Sequence, residues 1–219
     1  EDARELAGVE VIRGGQVTGS AGRLGLSAIT VRLPGGGERR IDCAALGVSG
    51  GWNPNLHLPC HQRGRPAWDE GIAAFVPGEG GPAGLGVAGA ARGSFATHAA
   101  LAEGAAAAQA ALDDLGIAAH LPDLPAAEDR PLGLRPFWHV PGKGRAWLDQ
   151  QNDVTVKDVR LAHQENFVSV EHLKRYTTLG MATDQGKTSN MGGLAVMAEL
   201  TGRSIPETGT TIFRPPYTP

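Results

Sequence analysis

Aromatic residues make up only 5% of this 219-residue chain, and it has two cysteines, Cys43 and Cys60. Two thiols are too few for a disulfide scaffold, so a reducing, cytoplasmic setting is expected. Neither sign of charge dominates. A formal net charge of −3 supplies no basic field for nucleic acid or an anionic membrane. No apolar run approaches the roughly 20 residues that span a bilayer. The opening Glu1-Asp2-Ala3-Arg4 is charged, unlike the apolar core of a signal peptide. The missing initiator methionine is expected of a processed chain or a fragment of a longer one. What the chain has in quantity is glycine, 32 residues, and proline, 15, so turns and linkers must separate its ordered pieces.

The densest polar and aromatic stretch is Asp149–Asn190, and it carries the clearest local signals. Thr155 followed by Asp158, with apolar Val154, Val156, Val159 and Ala162, reads as a capped helix start. Ser169 opens a second helix with Val170, Leu173 and Tyr176 on one face and Gly180 as its stop. A polar loop, Met181–Ser189, leads to a third helix from about Asn190 to Leu200, closed by Gly202. About fifty residues of this kind form a small appended module, too small to own a large core.

Upstream, Glu1–Gly8 looks like the end of a helix. VEVIR, QVTG and LGLSAITVRL alternate in polarity between glycines and read as a small antiparallel meander. After the Pro34–Gly37 turn, RRIDCAALGVSGG rises into an apolar run that fits a buried strand of a parallel sheet. Leu85–Ala90 reads as a second such strand, followed by an Ala-rich helix from about Thr97 to Asp114. In open α/β sheets ligands sit at strand C-termini against helix N-termini, which puts the Gly89–Phe95 backbone beside any pyrophosphate. Gly89-Ala90-Ala91-Arg92-Gly93 is equally a device for tight strand–helix packing, and G-x-G-x-x-G is absent. The Pro/Ala/Gly-rich stretch from Gly116 to Arg145 reads as a linker pinned by Phe137, Trp138 and Trp147.

Three motifs suggest other chemistry and fail on spacing. DQGKTSN contains Gly-Lys-Thr, but a phosphate-binding P-loop needs its first glycine where Met181 stands. Gly180 lies one residue early, after a helix and not a strand. Exposed amides with Lys187, Thr188 and Ser189 at a helix start still make a plausible anion site. His57, Cys60 and His61 have ligand types that zinc accepts, but no fourth ligand accompanies them, and no metal site is expected. His98, His120, His139, His163 and His172 are scattered and expected at the surface or at caps. No nucleophile–base arrangement stands out, so the segment alone is expected to catalyse nothing.

NDVTVKDVRLA, SVEHLKRYTTLGMATDQGKTSN and the tail FRPPYTP resemble the alpha subunit of heterotetrameric sarcosine oxidase, just before its folate-binding domain. CAALGVSGGWNPNLHL and VAGAARGSF resemble the closing half of that subunit's nicotinamide-nucleotide-binding domain. The resemblance implies an α/β part of glutathione-reductase-like FAD/NAD(P)-binding type with a small antiparallel meander, followed by a small all-α module. Residues 1–116 would end the nucleotide domain, 117–148 would be the linker, 149–203 the helical module, and 204–219 a linker toward the folate-binding domain.

The module also resembles a bacterioferritin-associated-ferredoxin-like [2Fe-2S] domain. Its cluster positions fall on Asp149, Gln151, Asp184 or Gln185, and Thr188. None is cysteine, so no Fe–S cluster is expected.

The family's reaction would be oxidative demethylation of sarcosine to glycine. Oxygen is reduced to hydrogen peroxide, and the one-carbon unit passes to tetrahydrofolate as 5,10-methylenetetrahydrofolate. Beta, gamma and delta subunits would be partners, with FAD and a covalently held FMN used in the beta subunit. NAD would contact Ser49, Gly50, Gly51, Trp52, Asn53, Gly89, Ala90, Gly93, Ser94 and Phe95. Flavoprotein relatives often carry an acidic residue where Ala90 stands, which favours a nicotinamide nucleotide at this loop over a flavin. Arg175, Lys187, Thr188 and Ser189 would approach the FMN phosphate at the subunit interface. The rival reading is a non-catalytic scaffold subunit of another flavin-dependent amine or opine dehydrogenase. Cysteines at the cluster positions would favour that branch, and their absence favours sarcosine oxidase.

Overall fold

The computed structural model describes residues 8–61, 64–129 and 134–216. The expected helix end over Glu1–Gly8 and the last residues of the FRPPYTP tail lie outside them, save Gly8 itself. Three strands, β1 (Gln16–Ala21), β2 (Ala28–Arg32) and β3 (Glu38–Asp42), form an antiparallel sheet with β2 in the middle. β2 buries Ala28, Ile29 and Val31, and Ile29 faces Ile41 across the ladder. The meander is present, one strand further along than expected. VEVIR stays outside the sheet, and ERRID supplies the third strand, because its alternation matches β2 around the Pro34–Gly37 turn.

The two expected parallel strands do not form. Beyond β3 the run from 44 to 53 is irregular and exposed, with Val48 at 84% and Trp52 at 77% of full exposure. Leu85–Ala88 is irregular, and Gly89–Ala91 is a single 3-10 turn. Every strand pair among the described residues is antiparallel, so these residues hold no parallel sheet of glutathione-reductase type. A central parallel strand is hydrophobic because sheet neighbours and helices cover it. The described residues offer this run neither.

α1 (His57–His61) leads to a hairpin that sequence reading missed, β4 (Pro66–Asp69) and β5 (Ala74–Pro77). Trp68 and Phe75 meet edge-to-face across it, with centroids 5.0 Å apart. α2 spans Thr97–Asp114 as expected, yet buries none of its residues. Phe137 and Trp147 are 62% and 43% exposed, so they do not pin the linker as expected. Arg145 instead stands over the Trp147 ring, 5.6 Å from its centroid.

The helical module opens with a two-strand pairing, β6 (Trp147–Asp149) and β7 (Val154–Thr155). α3 (Val156–Gln164) follows, its start fixed by Asp158, whose carboxylate accepts from the Thr155 N–H at 2.7 Å and hydroxyl at 2.6 Å. α4 (Val170–Thr177) stops earlier than Gly180, because Thr178 takes the left-handed conformation with φ 64°. α5 (Asn190–Thr201) ends at Gly202, and α6 (Ile205–Thr208) starts on a Ser204–Glu207 capping box.

Val159, Leu173 and Met197 are at most 1% exposed and anchor the core between α3, α4 and α5. Each contributes about 1.5–3 kcal/mol by leaving water. Leu56, Cys60 and Phe75 belong to the same cluster, so α1 and the hairpin share one core with the module. That shared core supplies what the module is too small to build alone. Among the described residues no helix is long and apolar enough to cross a membrane.

Candidate functional site

Where α1, β5, the start of α5 and the segment after α6 meet, they enclose a cavity of about 270 Å³. Its apolar lining includes Leu56, Phe75, Leu194 and Phe213. Its polar lining is Asn53, Asn55, His57, Lys187, Asn190 and Thr211. The cavity therefore joins Asn53, expected at NAD, and Lys187, expected at the FMN phosphate. Among the other expected site residues, none lines it.

The loop before α5 is organised by carboxylates. Asp149, 3% exposed, accepts from the N–H groups of Gln151, Asn152 and Gly180, and from the Ser189 hydroxyl at 3.4 Å. Asp184 accepts from the Thr188 N–H at 3.1 Å and hydroxyl at 2.7 Å. Burial acts to raise the Asp184 carboxyl, but hydrogen bonds from Thr188 and Gly186 hold it below its ordinary value. Thr183 donates to Gln151 at 2.9 Å. Hydrogen bonds thus tie together the segments in which the ferredoxin-like pattern would have its cysteines.

In this arrangement Thr188 and Ser189 are spent on Asp184 and Asp149, while Lys187 is exposed and in no ion pair among the described residues. Arg175 is 66% exposed and pairs with Glu171 one helical turn away at 3.4 Å. Of the four residues expected at a phosphate, Lys187 is the one at the cavity, beside the N-terminus of α5, where the helix dipole favours an anion.

His57, whose sequence context suggests only a metal ligand, has a different setting in the fold. It is 6% exposed, and its Nδ1 lies 3.2 Å from Asn55 Oδ1, which the His57 backbone N–H also approaches at 3.5 Å. With Asn55 offering its oxygen, Nδ1 carries the proton. Nε2 is buried and closes no hydrogen bond of ordinary geometry among the described residues. Burial, then the Lys187 charge, lowers the His57 pKa from the ordinary 6.5, so the ring is neutral at pH 7. The Gln185 backbone, which lies against the ring, and the Asp184 charge oppose this. Cys60, a turn away, is buried and its thiol is pushed up, which makes it an unreactive core residue. Among the described residues no three His, Cys, Asp or Glu groups gather as a metal site.

The second expected site is engaged differently. The Glu103 carboxylate accepts from the Gly89 N–H at 2.9 Å and from the Ser94 hydroxyl. Asp129 accepts from the His98 and Ala99 N–H groups at the start of α2, at 2.8 and 3.0 Å. Both places where a pyrophosphate would be cradled hold carboxylates. A β-carbon on Gly93 would lie 2.9 Å from Ile72 Cδ1, so this glycine permits close packing on the hairpin. Ala90 is exposed and Phe95 half-buried. Ser49, Gly50, Gly51 and Trp52 lie in the exposed irregular run.

Comparison with known proteins gives three results. Residues 143–219 match the family described as "Sarcosine oxidase A3 domain". The whole chain aligns at 43% identity with the sarcosine oxidase subunit alpha of Rhizobium meliloti (strain 1021), covering 23% of that protein. It aligns over 97% of its length, at 40% identity, with that of Corynebacterium sp. (strain P-1), covering 24% of it. The chain thus spans about a quarter of these relatives. Its fold is like that in the crystal structure of L-proline dehydrogenase from P. horikoshii, with TM-score 0.65 and 20% identity. That likeness covers 93% of this chain and 42% of the other.

Proposed function

The chain being a homologue of sarcosine oxidase alpha subunits along its length, we propose that it is an interior segment of such a subunit and holds the phosphate end of FMN. The observation that carries this is Lys187, a cation that lines the cavity beside the start of α5 and has no ion pair among the described residues. The donor set suits the group: a cation, side-chain amides and a hydroxyl beside an apolar lining. At about 270 Å³ the cavity is below the roughly 300–1,000 Å³ of pockets that enclose a whole ligand. It suits one end of a cofactor whose remainder faces a partner subunit.

When bound, FMN would supply electron-transfer chemistry. This chain's residues orient its phosphate and exclude water from its far end. The complete enzyme would demethylate sarcosine to glycine, forming hydrogen peroxide and 5,10-methylenetetrahydrofolate. FAD, tetrahydrofolate and the beta, gamma and delta subunits would lie outside this segment, and the assembly would be cytoplasmic. NAD would contact the open Ser49–Asn53 stretch, since Glu103 engages the donors at Gly89 and Ser94. Residues 1–116, 117–148, 149–203 and 204–219 would serve as the end of the nucleotide domain, linker, cluster-less module and folate-side linker.

The test is the FMN content of the assembled complex. Lys187→Gln should lower the FMN incorporated per complex, because the cofactor's phosphate loses a charge-assisted hydrogen bond before its covalent attachment. Arg175→Gln should leave it unchanged. Equal FMN content in all three proteins removes the cavity from the FMN reading. Turnover of another secondary amine, with none of sarcosine, would favour the scaffold alternative.

A further inference from the structure

A second cavity, of about 320 Å³, lies between β1, the segment from 139 to 146 and the start of α3. His139, Arg145, Lys157 and Arg160 line it, and among the described residues no acidic side chain does. Arg145, Lys157 and Arg160 are in no ion pair among the described residues. Two carboxylates lie close in the chain or the fold, and both are engaged elsewhere. Glu38 accepts from the Thr18 hydroxyl at 3.2 Å, and Asp158 accepts from Thr155. Neither belongs to the lining.

Nothing in the local structure favours cations at this place. Lys157 and Arg160 stand three residues apart on α3, a spacing that puts them on one face, where like charges oppose each other. Lys157 also lies in the first turn of α3, the end at which the helix dipole disfavours a positive charge. Arg145 is anchored over the Trp147 ring, 5.6 Å from its centroid, a contact that leaves its N–H donors for another partner. These repulsions cost the folded chain stability, and each turns to attraction when an anion enters.

We propose that this cavity is a binding site for a small multivalent oxyanion, one bearing two or more phosphate or carboxylate groups, received by Arg145, Lys157 and Arg160. Guanidinium forks match the paired oxygens of both groups, and the lysine adds a point charge. At about 320 Å³ the space falls within the roughly 300–1,000 Å³ of pockets that enclose a small molecule. It shares no lining residue with the cavity at Lys187, so the two sites stand or fall separately.

The experiment is calorimetric titration of the full-length protein at low, matched ionic strength with pyrophosphate, citrate and, as the monovalent control, acetate. Wild type should bind pyrophosphate, citrate or both more tightly than acetate. Arg145→Gln, Lys157→Gln and Arg160→Gln should each weaken that binding about fivefold, a modest loss because all three side chains are exposed. Lys143→Gln removes an exposed charge from the same segment but from outside the lining, and should leave the affinity within about twofold. Without added anion, Lys157→Gln should unfold at or above the wild-type temperature, because the substitution relieves a repulsion.

Pyrophosphate bound without citrate assigns phosphate groups to the ligand, and citrate without pyrophosphate assigns carboxylates. Neither anion bound more tightly than acetate overturns the inference. Equal weakening by Lys143→Gln and the three lining variants also overturns it, since a diffuse field and not a site would then hold the anion. A tetraglutamate peptide bound more than tenfold tighter than both small anions, through the same residues, overturns the small-molecule class. A lower unfolding temperature in Lys157→Gln would show that this lysine supports the fold, and overturns the reading of it as an uncompensated charge.

Discussion

Asn190 and Gly186 cannot both carry a side chain: a β-carbon on Gly186 would lie 2.2 Å from Asn190 Nδ2. The same amide stands where a β-carbon on Gly180 would be, 2.1 Å from its Oδ1. The first residue of α5 therefore fills the loop that precedes it, and this sets where Lys187 projects.

Gly186→Ala should lower stability by about 2 kcal/mol. Its φ of 81° costs an L-residue roughly 1 kcal/mol, and the displaced amide adds to that. Urea unfolding should show the loss, and a change below about 0.5 kcal/mol would mean the loop adapts freely.

Asp149→Ala should be among the most destabilising changes in the module, about 3 kcal/mol. It strips a buried carboxylate from three N–H groups and a hydroxyl. Gly180 amide exchange should speed up with it; unchanged exchange would show that Asp149 does not hold the loop.

The clamp of Glu103 on Gly89 and Ser94 should loosen in acid. The Ser94 hydrogen bond, with the Gly89 N–H and Arg92 helping, holds this carboxyl below its ordinary 4.5. A carboxyl with a depressed folded pKa contributes stability above its unfolded pKa and loses it as pH falls through the folded one. Gly89 amide protection should accordingly be flat above about pH 5 and fall below about pH 4. Glu103→Gln should remove that dependence.

Asp158→Ala should cost about 1 kcal/mol by removing the acceptor that holds the Thr155 N–H and hydroxyl. Thermal unfolding of the full-length protein measures it. No shift would mean that core packing alone sets the start of α3.

What the sequence determined by itself is local. Thr155 with Asp158, and Gly202 after the apolar run of α5, are signals between residues a few positions apart. Hydrogen bonds within one turn decide helix ends, so those boundaries were legible. The Ala-rich run of α2 was legible for the same reason. Non-local pairing was not. CAALGVSGG has the composition of a covered strand, but cover is a property of neighbours, and in this chain it stands exposed. The same holds at the site. Gly89 and Ser94 read as a phosphate loop until Glu103 and Asp129 arrive from elsewhere to take their donors and those of α2. Lys187 and His57 are 130 positions apart by their numbers, and no pattern in the chain pairs them. The shared core of Leu56, Phe75, Leu194 and Met197 brings their segments together, because burying apolar surface is indifferent to distance along the chain.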